Sequence, residues 1–224
     1  MQHLVFLLLG LGNGAVFGAL ALAVVLTYRS SGVVNFATGA IALYTAYTYA
    51  FLREGELLIL IPGLPNTIDL GGPIGMWPAI AISLVIAAAL GLVLYLLVFR
   101  PLRTSPLVAR AVAALGISLL IAGLVAQKLG TDPVSVEPIF PTDVWQSGEL
   151  QLSADRFFFA LTIVVLAIVL ALAFRYTKFG LATRASAETE RGAYVSGISP
   201  DRIAAYNWML SSAVAGLAGI LIAP

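Results

Sequence analysis

Asn35, Thr38, Tyr44 and Thr48 fall within one otherwise oily stretch, VVNFATGAIALYTAYTYAFL, together with Thr45, Tyr47 and Tyr49. Lipid offers no partner for amides and hydroxyls, so a helix carrying this many must turn them toward protein or toward a polar passenger. Helical spacing puts Tyr44, Tyr47, Thr48 and Phe51 on one face. Two readings stand side by side: an interfacial aromatic belt with hydroxyls bonded to neighbouring backbones, or the lining of a path for a small polar solute. Asn13 and Asn207, amides within other apolar stretches, carry the same two readings, as interhelical hydrogen bonds or as path residues.

The second chemically loaded stretch is Arg175 to Arg202, which holds Arg175, Lys178, Arg184, Glu188, Glu190, Arg191, Asp201 and Arg202. Its punctuation reads as a short helix. Ser186 is placed to cap it, Glu188 to sit in its first turn and Gly197 to close it in a left-handed conformation. Ser199-Pro200-Asp201 then spells a second helix start. On the short helix Ala187, Arg191, Tyr194 and Val195 share a mixed apolar and polar face. Such a face suits docking of a soluble partner, although a basic loop beside a membrane needs no partner to account for it.

Most other chemistry is excluded by what the sequence lacks. It has no cysteine and a single histidine, His3, so thiol chemistry, disulfides and His- or Cys-based metal sites have no residues to build them. No GxxxxGK[ST] loop, GxSxG elbow or HExxH pair occurs. ATP therefore has no phosphate loop here, no catalytic set is present and no cofactor or metal is expected in this chain. A net charge of +1 provides no field for nucleic acid.

The elements that position these residues follow from the charge-free intervals. Of 224 residues 60% are hydrophobic and 10% charged, with a mean hydropathy of +1.00, whereas soluble domains carry about 25% charged residues. A span needs ~20 mostly apolar residues. Six intervals qualify as membrane segments: Met1–Tyr28, Ser30–Leu52, Leu70–Phe99, Ala111–Gln127, Phe157–Phe174 and Ile203–Pro224. The first lacks the basic start of a secretory signal peptide and is too long for its apolar core, so it reads as a retained helix. The fold class is all-α, a polytopic bundle forming one transmembrane domain over residues 1–224. None of the six carries an Asp, Glu, Lys or Arg at mid-depth, which counts against ion-coupled transport.

The loops Arg100–Arg110 and Arg175–Arg202 are basic, whereas Arg53–Gly72 and Lys128–Arg156 are acidic on balance. The basic pair is cytoplasmic by the positive-inside rule. If Ser30–Leu52 crosses fully, the N-terminus is outside; if it is re-entrant, the N-terminus is inside. Gly10, Gly14 and Gly18 on the first helix, and Ser212, Gly216 and Gly219 on the last, form small-residue stripes that read as packing faces.

A resemblance adds to this. Thr177, Gly180, Arg184 and Ala185 followed by Gly197-Ile198 resemble the cytoplasmic signature of the permease subunits of branched-chain amino acid ABC importers. GVVNFATGA (Gly32–Ala40), RPLR (Arg100–Arg103), AALGISL (Ala113–Leu119) and AGLAGIL (Ala215–Leu221) match further motifs of that family in order. Permeases for urea and short amides share them. The resemblance implies a multi-pass subunit of the cell (inner or plasma) membrane, working with a second permease subunit, two cytoplasmic ATPases that bind ATP and Mg, and an extracytoplasmic solute-binding protein. In that frame Ala187–Gly197 is a coupling helix in a cleft of the ATPase. Arg184, Glu188, Glu190 and Arg191 are rim contacts, Tyr194 is an anchor and Gly197 the closing turn. Asn13, Asn35, Thr38, Tyr44, Thr48 and Asn207 are the candidate path. The family also implies further membrane helices after residue 224. An ATP-independent facilitator and a structural membrane subunit are the competing readings.

Overall fold

A computed structural model describes the backbone of residues 2–130, 134, 136–141, 143–147 and 150–223. It describes side chains within these from residue 10 onward, apart from 11–13, 30, 144–147 and 150–153. The chain runs α1 (Gln2–Ser31), α2 (Thr38–Glu54), a hairpin of β1 (Glu56–Leu58) and β2 (Thr67–Asp69), then α3 (Met76–Leu94). α3 continues as a π-helical turn over Tyr95–Phe99 and a 3-10 turn over Pro101–Thr104. Next come α4 (Leu107–Leu129), a second hairpin of β3 (Val144–Ser147) and β4 (Leu150–Ser153), α5 (Ala154–Tyr176), α6 (Lys178–Glu188), α7 (Glu190–Val195) and α8 (Pro200–Ile222). The fold is all-α apart from the two antiparallel hairpins in the loops, which the sequence reading leaves out because strands of three and four residues are too short to show a period.

Among the described residues, four helices are long and apolar enough to cross a membrane: Met76–Phe99, Leu107–Leu129, Ala154–Tyr176 and Pro200–Ile222. The expected Ser30–Leu52 segment is not one helix. Gly32, at φ +64°, ends α1, and residues 33–37 are non-helical. Asn35 bends the chain, its Oδ1 accepting from the Ala37 amide at 3.0 Å, while the Thr38 hydroxyl donates to the Asn35 carbonyl at 2.6 Å. These local bonds compete with the helical ladder, and α2 starts only after them. It spans 17 residues, about 25 Å at 1.5 Å per residue.

α8 is the pivot of the bundle, packed by α1, α2 and α3, with Trp208 fully buried. Its expected stripe of small residues is a packing face. A Cβ on Gly219 would strike the Ala42 backbone, and one on Gly216 would lie 2.9 Å from Thr45 Cγ2 and 3.0 Å from Ala87 Cβ. Ser211 donates to the Ala23 carbonyl of α1 at 2.6 Å. The α1 stripe behaves differently from expectation. A Cβ on Gly18 would lie 3.9 Å from Ile163 Cγ2, but one on Gly10 or Gly14 would meet nothing within 4 Å among the described residues. Spacing alone shows that a face is smooth, not that a neighbour fills it.

The loops gather at two ends. At the hairpin end Arg53 pairs with Glu137 and donates to the Ile74 carbonyl at 3.1 Å, and Lys128 donates to the Leu64 carbonyl at 2.6 Å. At the basic end Val33 clusters with Phe99, Ala204 and Trp208. Leu52 and Tyr49 instead pack with Ala79 and Ile220, so α2 runs from the basic end to the hairpin end. Of the twelve Lys and Arg, only Arg53, Lys128 and Arg156 belong to the hairpin end.

Candidate functional site

The basic end carries the most elaborate polar construction. α6 leaves α5 through a turn at Thr177, whose hydroxyl accepts from the Gly180 amide at 3.2 Å. Gly180 itself is pressed against the Phe174 backbone, where a Cβ has no room. Gly180, Thr183 and Ser186 are the buried positions of α6, three residues apart. Ser186 is therefore an interior residue of α6 and not the cap expected from the sequence. Thr189 caps α7 instead, accepting from the Gly192 amide at 2.9 Å. Both are hydroxyl residues beside a run of alanine and acid, and the sequence offers no local reason to prefer the later one. Tertiary burial of Ser186 decides. Gly197 takes the expected left-handed conformation at φ +76°, and the Ile198 amide donates to the Ala193 carbonyl at 2.9 Å, closing α7.

Only Ala193 of α7 is buried. Arg184 and Glu188 of α6, and Glu190, Arg191, Tyr194 and Val195 of α7, are all exposed, Val195 at 91%. Five of the six predicted coupling residues, Arg184, Glu188, Glu190, Arg191 and Tyr194, thus lie on two successive helices at one end of the bundle, and the sixth, Gly197, lies in the turn after them. Arg184 also donates to the Arg175 carbonyl at 3.3 Å.

Arg103, which spacing alone does not single out, ties this surface to the bundle. Its guanidinium pairs with Glu190 Oε1 at 2.7 Å through Nη2 and with Asp201 Oδ1 through Nη1. Arg100 lies 3.6 Å from Asp201 Oδ2, and the Tyr95 hydroxyl donates to Asp201 Oδ1 at 3.4 Å. Burial by itself lowers the Arg103 pKa, but the hydrogen bond and charge of Glu190, with the charge of Asp201, outweigh it and leave the pKa raised. The sequence signal for it was the RPLR motif, read there only as a family mark.

The candidate path residues are buried but not gathered. Asn35, Thr38, Tyr44, Thr48 and Asn207 are each at most 7% exposed. Asn35 and Thr38 bond each other at the start of α2. Thr48 donates to the Tyr44 carbonyl at 2.8 Å, and the Tyr44 hydroxyl to the Leu58 carbonyl at 3.4 Å. Asn207 bonds Thr183 of α6. The Asn13 side chain lies outside the described residues. A cleft of about 320 Å³ opens instead on another face of α2, lined by Gly39, Leu43, Ala46, Tyr47 and Ala50, by Gly219 and Ile222 of α8, and by Val134 and Val136. It is mostly apolar, and the sequence reading missed it because small apolar residues give no chemical signal.

The comparisons with known proteins agree with this architecture. A family model described as branched-chain amino acid transport system / permease component matches residues 6–224. The chain belongs to that family. Among relatives of this family, the high-affinity branched-chain amino acid transport system permease protein LivH of Escherichia coli (strain K12) is 27% identical over 221 residues, covering 95% of this chain and 68% of the relative. The corresponding protein BraD of Pseudomonas aeruginosa is 25% identical over 217 residues, with the same coverage. A branched-chain amino acid transport permease protein LivH of Methanocaldococcus jannaschii is 29% identical over 208 residues, covering 91% of this chain and 61% of the relative. No solved structure matches. As a member of the family with four membrane-capable helices, the chain is a multi-pass membrane protein.

Proposed function

We propose that this chain is the membrane-spanning, non-catalytic subunit of a binding-protein-dependent ABC importer of the inner membrane for branched-chain amino acids or related small amides. The observation that carries the reading is the exposed α6–α7 surface: a capped, charged helix pair with an aromatic and an aliphatic side chain, held on the basic end of a bundle that belongs to the permease family. That end is cytoplasmic by the positive-inside rule, and a soluble ATPase binding ATP and Mg is the partner it fits. Tyr194 and Val195 are its apolar anchors, Arg184, Glu188, Glu190 and Arg191 its polar rim, and Gly197 the turn that returns the chain to the membrane.

Six crossings fit the alternation of loops, α1 and α2 joining the four membrane-capable helices and placing the N-terminus outside. The hairpin end then faces an extracytoplasmic solute-binding protein. A second permease subunit, identical or homologous, completes the path. The apolar cleft beside Leu43 and Tyr47 supports an aliphatic passenger, whereas Asn35, Thr38, Tyr44, Thr48 and Asn207 hold the path walls in place from behind.

The test is a detergent pull-down of the tagged chain from its native membrane with mass spectrometry of the soluble proteins recovered. Recovery of a P-loop ATPase, lost when residues 187–197 are replaced by a Gly/Ser linker, is the expected result. Solute flux that proceeds without ATP and without such a partner overturns it in favour of a passive facilitator.

A further inference from the structure

Building on the coupling reading of α6–α7, we infer that Arg103 is a positioning residue, a latch that makes α7 and the first turn of α8 move together with the end of α3. Glu190 is the first residue of α7 and Asp201 the second of α8. Arg103 stands between them on the 3-10 turn that follows α3, with Nη2 2.7 Å and Nε 3.1 Å from Glu190 Oε1, and with Nη1 on Asp201 Oδ1. Among the described residues every ion pair at the basic end includes Arg103 or Asp201.

What the latch adds is visible when the other connections are traced. The end of α3 already grips α8, because Phe99 stacks on Trp208 with ring centroids 4.2 Å apart and Tyr95 lies 6.2 Å from the same ring. A Cβ on Gly91 would meet the Trp208 carbonyl at 2.6 Å. α3 and α8 therefore form one rigid unit. α7 buries only Ala193 and joins α8 through a four-residue turn containing Gly197 at φ +76°. Displacing α7 would flex that turn and the α6–α7 junction at Thr189, although α6 is itself tied to α8 by the Thr183–Asn207 hydrogen bond. Arg103 provides a direct connection parallel to these two, and with it a push on α7 is delivered to the α3–α8 unit.

The two arms differ. The side chains of Arg103 and Asp201 are each 29% exposed, whereas Glu190 is 58% exposed. The Asp201 arm is thus the anchored one, and the Glu190 arm, more screened by water, is the one able to yield. The planar guanidinium fork reaches both carboxylates at once, which a lysine ammonium at the same place cannot do with equal geometry.

The experiment uses the assembled importer, with both permease subunits, ATPases and binding protein, in proteoliposomes with radiolabelled leucine. With Arg103→Ala the ATPase is expected to stay bound and to hydrolyse ATP, while leucine taken up per ATP falls about fivefold or more. Arg103→Lys recovers part of the ratio. Spin labels on Ser196→Cys and Tyr206→Cys report the same latch directly, since the chain has no cysteine of its own. Their distance distribution is narrow with Arg103 and broad with Arg103→Ala. An unchanged uptake-to-ATP ratio with an unchanged distribution overturns the latch, and so does a fall in uptake matched by an equal fall in hydrolysis. If Arg103→Ala does not assemble, Arg103→Lys and its distance distribution decide by the same criteria. The underlying reading fails separately: an ATPase that remains bound after α7 is replaced by a Gly/Ser linker removes the coupling helix, whatever Arg103 does.

Discussion

Asn207 Nδ2 on α8 donates to the Thr183 hydroxyl on α6 across 3.1 Å, and neither residue is accessible to solvent. The same nitrogen reaches the Ile203 carbonyl at 2.8 Å, and the Thr183 hydroxyl donates onward to the Phe179 carbonyl at 3.0 Å. An amide that the sequence offers as an interhelical hydrogen bond or as a path residue makes such a bond here, between the peripheral helix α6 and the central helix α8.

That joint has a measurable worth. Interhelical side-chain hydrogen bonds in membrane proteins contribute about 0.6 kcal/mol on average and about 1.7 at most. Thr183→Val and Asn207→Leu should each destabilise the protein by an amount in that range in detergent unfolding. The double variant should lose less than the sum of the two, because neither partner is left unpaired. Strict additivity would separate the two residues.

Close approach of α8 to its neighbours makes Gly219 a sensitive position. A side chain there collides with the backbone of Ala42 rather than with a movable side chain. Gly219→Val should cost about 1–3 kcal/mol or more by overpacking, read as a lower midpoint in thermal unfolding and a lower yield of assembled protein. Gly10→Ala, at a position where an added Cβ meets nothing among the described residues, should leave the midpoint within error.

Arg191→Glu combined with Tyr194→Ala reverses a rim charge and removes the half-exposed aromatic anchor of α7 without touching its buried Ala193 or its Thr189 cap. Membrane insertion should be intact. ATPase recovery in a pull-down should fall at least about tenfold, the scale of losing one anchor worth 1.4 kcal/mol or more. Unchanged substrate-stimulated hydrolysis in the double variant removes α7 from the docking surface.

The cleft on α2 gives the opposite pattern. Leu43→Trp fills space beside Ala46 and Tyr47, away from the helix contacts that hold α2, so uptake should fall by about an order of magnitude if the passenger uses this cleft. ATPase recovery should stay at the wild-type level. Normal uptake in this variant excludes the cleft from the path. Thr48→Val, which deletes a hydroxyl bonded to its own helix at Tyr44, should change uptake little.

Much of this protein follows from its sequence because the solvent imposes it. Apolar runs bounded by charges mark α3, α4, α5 and α8, and Pro106 and Pro200 mark where two of them begin, since a membrane tolerates few other solutions. The left-handed Gly197 and the basic character of one end are equally local properties. Tertiary structure alone decided the rest. Ser186 and Thr189 are both competent caps, and only the burial of Ser186 against the bundle selects Thr189. Ser30–Leu52 is free of charge throughout, yet Asn35 bends it because its side chain finds the Ala37 amide once the helix before it has ended. Arg103 is one of several loop arginines until the fold brings Glu190 and Asp201, 87 and 98 residues away, to either side of it. Periodicity and composition describe a helix and its solvent; which distant charges meet is a property of the closed chain.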